Sequence, residues 1–473
     1  MIINNPLIRR YRYSLMRPRQ LWIYITIYVS IIVLLLYINY TAYKYQEMYS
    51  NITRFYRGIC YQFLILQALI LWIWGAYNSG SAITNEITGN SYDFFRMLPV
   101  SAGKKAVGIL VGKNLIVLLL TAITFILIII FGSLSKETAS WLGQTFLTLV
   151  SVAILINTVA LLSSIRPVSK KKKSNIATII LIAFFLGPFL IRLLVSATGI
   201  RAFKNVTGKF YGIEFPIMVL ISLVALYFSC WCIVGVLRKF TLEEEPLFNR
   251  IGAFLFMFGY EFVLFGLFYE HLNEGARIIN YSYWLISLLP ILAVPFGSLR
   301  KFDKYLEYSG LIRSRKTENQ NMMPRMILYS NLSLGLGLFV IWAGCSITTT
   351  LITRLELLPH LYMIFVLFSF YLFLLLLLEL YVVFTPVSNK IGMLLAFIAA
   401  VYVILPLIIS EILNSDIIYM FSPVGFVWEI FQRPPTEFAI QPGIWVLNLL
   451  LCIIPSLLIW KRHLHILSTR RKM

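Results

Sequence analysis

Apolar residues along this 473-residue chain fall in long unbroken runs. They do not show the two-residue alternation of a half-buried strand or the narrow stripe of a soluble amphipathic helix. Twelve runs come close to the roughly 20 residues that a helix needs to cross a hydrocarbon core. The first six are Leu21–Tyr40, Cys60–Tyr77, Val111–Phe131, Trp141–Ser163, Ile176–Ser196 and Phe215–Leu237. The second six are Ile251–Tyr269, Tyr283–Leu299, Ile327–Leu351, Leu361–Phe384, Ile391–Ile409 and Ile444–Trp460. The pattern predicts an all-α, polytopic integral membrane protein with about twelve transmembrane helices.

Polar segments between the runs carry a directional signal. With the N-terminus placed inside, the inside segments hold 29 Lys and Arg and the outside segments 10, while Lys113 and Arg192 lie within spans. Retention of basic loops on the cytoplasmic side accounts for such a bias. It predicts a cell-membrane location with both termini cytoplasmic. One missed or extra span would invert every later loop and erase the bias.

Composition agrees with this and narrows the function. The chain is 59% hydrophobic and 13% charged, against about 45–50% and 25% for soluble domains. The net charge of +21 would suggest nucleic acid in a soluble protein. Here the basic residues are spread between apolar runs, so no nucleic-acid partner is expected. Cys60, Cys230, Cys232, Cys345 and Cys452 fall in or beside apolar runs without CxxC spacing, which predicts no disulfide framework and no metal site. The arginine-rich N-terminus leads into a run of full spanning length, expected to be a retained first span rather than a cleaved signal.

Six runs precede Arg238-Lys239 and six follow. Arg166-Pro167-Val168-Ser169 is matched by Thr385-Pro386-Val387-Ser388, Gly112-Lys113-Asn114-Leu115 by Tyr329-Ser330-Asn331-Leu332, and Pro188 by Pro406, all at nearly the same offset. The expected organisation is two parallel six-helix repeats related by an axis along the membrane normal. The first half would span 1–240, with a functional segment at 82–101. The second would span 241–473, with a basic loop at 300–326.

The segment between the second and third runs is the most distinctive. It reads Asn85-Glu86-Ile87-Thr88-Gly89-Asn90-Ser91-Tyr92-Asp93-Phe94-Phe95-Arg96-Met97-Leu98-Pro99-Val100-Ser101, with Lys104-Lys105 and Gly112-Lys113 beyond. Ile87, Phe94, Phe95 and Leu98 can share one side of a short amphipathic helix ending at Pro99. Ser101 is placed to cap the next helix, on which Lys104 and Lys105 would snorkel.

This run of Glu, Thr-Gly, a hydrophobic pair, Leu-Pro-Val-Ser and Gly-Lys resembles the type 2 class of ABC exporter permeases, over roughly residues 81–116. The resemblance implies a transmembrane subunit of an ABC transporter. Its coupling helix would dock on an ABC ATPase, with Glu86, Thr88, Gly89, Asp93, Phe94 and Arg96 as docking residues. The stretch Pro6–Arg19 would correspond to that family's connecting helix. The Thr88-Gly89 order is the reverse of the commoner one, and the loop 300–326 lacks a Leu-Pro-Val-Ser equivalent.

No Walker A motif occurs, because Gly103-Lys104-Lys105 and Gly112-Lys113-Asn114 lack the glycine-rich loop and the hydroxyl after lysine. ATP-Mg would therefore be bound by a partner ATPase, in two copies for a duplicated chain. No cofactor and no catalytic residue is expected in this chain, and a homodimer is the alternative route to a full pathway. Glu261, Glu379 and Arg192 lie within spans, where charge costs roughly 2.5–3.5 kcal/mol on insertion scales. They are the pathway candidates, with Glu261 able either to line a substrate path or to pair with Arg192. The alternative function is an ion-coupled secondary transporter using these carboxylates. Substrate identity and the docking role of 300–326 stay open at this level.

Overall fold

A computed structural model describes residues 5–45, 52–89, 97–165, 207–241, 248–273, 283–284, 286–291, 294, 330–353, 357–384, 408, 446 and 449–471. The chain is predominantly helical. Eight helices among the described residues are long and apolar enough to cross a membrane, and the protein is multi-pass. The predicted spans Ile176–Ser196 and Ile391–Ile409, and the loop 300–326, lie outside the described residues or nearly so. Two compact units divide the chain. One is Met1–Gly208 with Glu214–Leu247, and the other is Lys209–Ile213 with Phe248–Met473.

The first unit starts with α1 (Pro6–Leu15), a short amphipathic helix burying Leu7, Ile8 and Tyr11. Asn5 caps it, its side chain accepting from the Leu7 amide at 3.0 Å and donating to the Lys104 carbonyl at 2.6 Å. Helix α2 (Pro18–Tyr45) follows. Its apolar residues Trp22, Ile27, Val33, Leu34 and Tyr37 are all more than half exposed, a surface that only lipid can solvate.

The next helix departs most from expectation. The sequence pattern predicts a short span at Cys60–Tyr77. The structure instead has an uninterrupted helical rod made of α3 (Ile52–Ala68), one π turn (Leu69–Trp74) and α4 (Gly75–Thr88). At 1.5 Å per residue, its 35 residues from Ile52 to Glu86 reach about 52 Å. Polar residues beyond the apolar window keep helical geometry because they find partners. Asn114 Nδ2 donates to Ser79 Oγ at 2.9 Å, Ser79 Oγ donates to Asn157 Oδ1 at 3.0 Å, and Asn157 Nδ2 reaches the Leu71 carbonyl in the π turn at 3.4 Å. At the other end Arg57 pairs with the buried Glu137 at 2.6 Å.

The unit continues with α5 (Ala102–Gly112), α6 (Leu115–Leu134), α7 (Ala139–Ser164) and α8 (Ile217–Thr241). Ser101 stands at the N-cap of α5, but its side chain makes no capping hydrogen bond. Lys105 is buried instead of snorkelling, because neighbouring helices close over this face of α5. That burial lowers its ammonium pKa from the usual lysine range.

A two-stranded hairpin, β1 (Thr207–Phe210) and β2 (Ile213–Pro216), precedes α8. The hairpin is a small addition to an otherwise helical chain, and it removes Phe215 from the predicted sixth span. The two-residue loop Tyr211-Gly212 has φ of 53° and 78°, the double left-handed turn that matches strand twist. Its sequence signal is the alternation of Lys209-Phe210 and Ile213-Glu214-Phe215 around a Tyr-Gly pair.

The second unit contains α9 (Arg250–Asn273), α10 (Asn331–Ile352), α11 (Leu357–Phe384) and α12 (Ile453–Arg471). Arg250 Nη2 donates to the Ser330 carbonyl at 3.1 Å and Ser333 Oγ at 3.0 Å. The first turns of α9 and α10 therefore lie together, and the two helices run the same way. The helical stretch 286–291 is tied to all three long helices. Tyr260 and Tyr371 hydroxyls donate to the carbonyls of Ile286 and Ile291, and Trp342 Nε1 donates to Ser287 Oγ. Helix α12 runs further toward the C-terminus than the predicted Ile444–Trp460 span, because helical hydrogen bonding continues through Lys461 and Arg462.

Close approach fixes α1 on α5. A Cβ at Gly112 would sit 2.5 Å from Tyr11 Cδ2, and one at Gly108 would sit 2.8 Å from Leu7 Cβ. Gly112→Val is expected to destabilise this docking by about 1–3 kcal/mol, the usual range for overpacking. The measurable result is a lower detergent Tm and faster tryptic cleavage after Arg9, Arg10 and Arg12. Gly143→Ala, where nothing lies within 4 Å, should leave both unchanged.

Candidate functional site

Two places in the structure gather the residues that the sequence singles out, one in each unit. In the first unit, the end of α4 meets α1 and α5. Glu86 is buried, and its carboxylate accepts from Arg10 Nη2 at 3.1 Å. Lys113 stands over the Tyr11 ring, 5.0 Å from its centroid. Burial, and then the nearby Glu86 charge, raise the Tyr11 hydroxyl pKa well above the ordinary tyrosine range. Glu86 thus clamps α1 to the end of the long helix, 76 residues away in sequence.

Beyond Glu86 the chain turns toward the surface. Thr88 is the last residue of α4, and Gly89 is an exposed turn residue whose N–H donates to the Asn85 carbonyl at 3.0 Å. The other end of the segment returns at Met97, which is 77% exposed, and at exposed Pro99. Asp93, Phe94 and Arg96 lie outside the described residues, as does Arg192.

In the second unit, Glu261 and Glu379 have different surroundings. Glu379, near the end of α11, is 2% exposed. It accepts hydrogen bonds from the backbone of Asn331 and Leu332 and from the Asn331 side chain, while its Oε2 has no partner. These groups form the first turn of α10, whose free N–H groups and positive dipole end suit a carboxylate. Glu379 therefore fastens α11 to the start of α10, with Ser330 as the N-cap.

Glu261, about three turns into α9, is 3% exposed, and its Oε1 has no hydrogen-bond partner. It lines a cleft of about 570 Å³ between the later turns of α9 and α10. Phe258, Phe262 and Phe265 line the α9 side, and Gly344, Cys345, Thr348 and Thr349 the α10 side. Tyr283 adds a hydroxyl shared with Thr349 at 3.2 Å.

Tyr211, at the hairpin tip, forms a further part of the wall. Its N–H donates to the Gly266 carbonyl at 2.9 Å and its hydroxyl to the Phe262 carbonyl at 2.8 Å. The missing side chain at Gly266 lets the tip come down, since a Cβ there would meet the rings of Phe210 and Tyr211 at 2.5–2.6 Å. A left-handed tyrosine costs roughly 1–2 kcal/mol, offset here by two hydrogen bonds and ring packing on Phe262 and Phe265. Sequence reading alone did not find Tyr211, Tyr283 or Thr349, because only tertiary packing brings them to Glu261.

Glu379→Ala should cost about 1–3 kcal/mol, since it strips buried amides of their acceptor, while Glu379→Gln recovers part of that loss. Arg10→Ala should cost under about 1 kcal/mol, because Arg10 is 43% exposed. Detergent thermal unfolding of the variants reads this order.

Compared with protein-family models, curated proteins and solved structures, the chain matches none of them.

Proposed function

We propose that this chain is the membrane-spanning permease of an ATP-driven ABC exporter, with the ATPase supplied by a separate subunit. The observation that carries the reading is the braced end of α4. A helix of about 52 Å ends at a buried Glu86, held by Arg10 of α1 and by the close packing of α1 on α5. The exposed turn at Gly89 and the exposed return at Met97 and Pro99 flank the segment resembling a coupling helix. A push delivered to that segment would reach a rod crossing the bilayer rather than a loose loop, which is the mechanical requirement for domain-driven alternating access.

In this reading Glu86 braces the segment. Asp93, Phe94 and Arg96, with Thr88 and Gly89, face the ATPase, which binds ATP-Mg. The basic segments lie on the cytoplasmic side of the cell membrane with both termini. Twelve spans in two parallel six-helix repeats would let one chain form the pathway over two ATPase copies, with a homodimer as the alternative. One correspondence supports the repeat: Asn114 and Asn331 are both buried where α6 and α10 begin. The resulting halves would be 1–240 and 241–473, with the basic loop 300–326 as the counterpart of 82–101.

A second reading, an ion-coupled secondary transporter, is favoured by one observation. Glu261 is a buried carboxylate whose Oε1 lacks a partner inside a span, and such groups mark ion pathways.

Affinity purification of the tagged chain from its native membranes should recover a polypeptide with Walker motifs, and Arg96→Glu should reduce that recovery about tenfold or more without loss of the folded chain. Transport that survives ATP depletion, with no ATPase recovered, would overturn the reading in favour of the second one.

A further inference from the structure

Glu261 is the single formal charge in the α9–α10 cleft among the described residues, and no lysine or arginine lines it. Its side chain is 97% buried, and Oε1 has no donor. A carboxylate withdrawn from water is strongly unfavourable unless it takes up a proton or a positive partner, and the lining supplies no positive partner. The walls say what kind. Phe258, Phe262, Phe265, Tyr211 and Tyr283 present aromatic rings, whose faces attract cations and whose bulk favours apolar ligands. The volume, about 570 Å³, is that of a small-molecule site. Phe258 and Phe262 are more than half exposed, so the mouth opens to the surroundings of the bundle and an apolar ligand can enter without crossing a polar rim.

We infer that this cleft binds a lipophilic organic cation, its positive centre against Glu261 and its apolar groups between the rings of α9, Tyr211 and Tyr283. Beside Glu261 an inorganic ion would find the hydroxyls of Tyr211, Tyr283, Thr348 and Thr349, each already in a hydrogen bond, whereas the ring faces suit an organic cation. An anion would meet the carboxylate at close range. This names a substrate class for the transport reading proposed above and rests on it only for the word substrate. Binding itself needs no ATPase, so its failure and the failure of ATPase docking are separate results.

Tetraphenylphosphonium and tetraphenylborate provide the test, because they share shape and size and differ in charge sign. The full chain, purified in detergent, is titrated by equilibrium dialysis at fixed pH. The expected result is saturable tetraphenylphosphonium binding, with tetraphenylborate at least about tenfold weaker. Glu261→Gln should weaken phosphonium binding about tenfold or more and Phe262→Leu about threefold.

The location is read separately. Cys345 lines the cleft, whereas Cys230 is exposed in the other unit. Bound phosphonium should slow maleimide alkylation of Cys345 and leave Cys230 unchanged, as followed by peptide mass spectrometry. Equal affinity for the two ions, unchanged binding in Glu261→Gln, or no protection of Cys345 would each overturn the inference. If Glu261→Gln does not fold, the comparison of the two ions and the Cys345 protection on the unaltered chain decide alone.

Discussion

The cost of placing charge and unpaired backbone in a medium that offers no hydrogen bonds governs this molecule. Lipid solvates the apolar faces of α2 and its neighbours without help. Every polar group in the same helices must find its partner within the protein. Where a partner is found, it becomes structure. Glu86 takes Arg10, Glu379 takes the first turn of α10, and Ser79, Asn114 and Asn157 take one another. These pairings join elements distant in sequence, so the groups that are most expensive to bury also fasten the bundle.

The same constraint separates two carboxylates that look alike in the sequence. Glu261 and Glu379 each sit within an apolar run. Helix α10 begins beside Glu379 and gives it donors from its first turn, which leaves only Oε2 without a partner. Glu261 faces the side of the later turns of α10, where Cys345, Thr348 and Thr349 bring no charge. One residue is therefore a clamp, and the other is left facing a cleft. The difference comes from where along α10 each meets its neighbour.

Small residues do comparable work by letting backbones approach. Gly108 and Gly112 admit Leu7 and Tyr11 of α1, and Gly266 admits the hairpin tip. The tip holds Tyr211 in a left-handed conformation that only its anchoring on α9 makes tolerable. The hairpin in turn completes the aromatic wall around Glu261, so a short strand pair missing from any hydropathy reading shapes the candidate binding site.

By itself the sequence determined that the chain lives in a membrane and crosses it many times, because transfer into lipid is a sum over neighbouring residues and needs no knowledge of the fold. It also placed most described spans to within a few residues and marked Glu86 and Glu261 as out of the ordinary. It understated the helix Ile52–Glu86, whose polar ends are helical only because Asn114, Asn157 and Arg10 answer them. Tertiary structure alone decided that Glu86 braces α1, that Glu379 caps α10, and that Tyr211 and Tyr283 close around Glu261. Each of those contacts joins groups from separate elements of the chain, and packing, not local preference, chooses such partners.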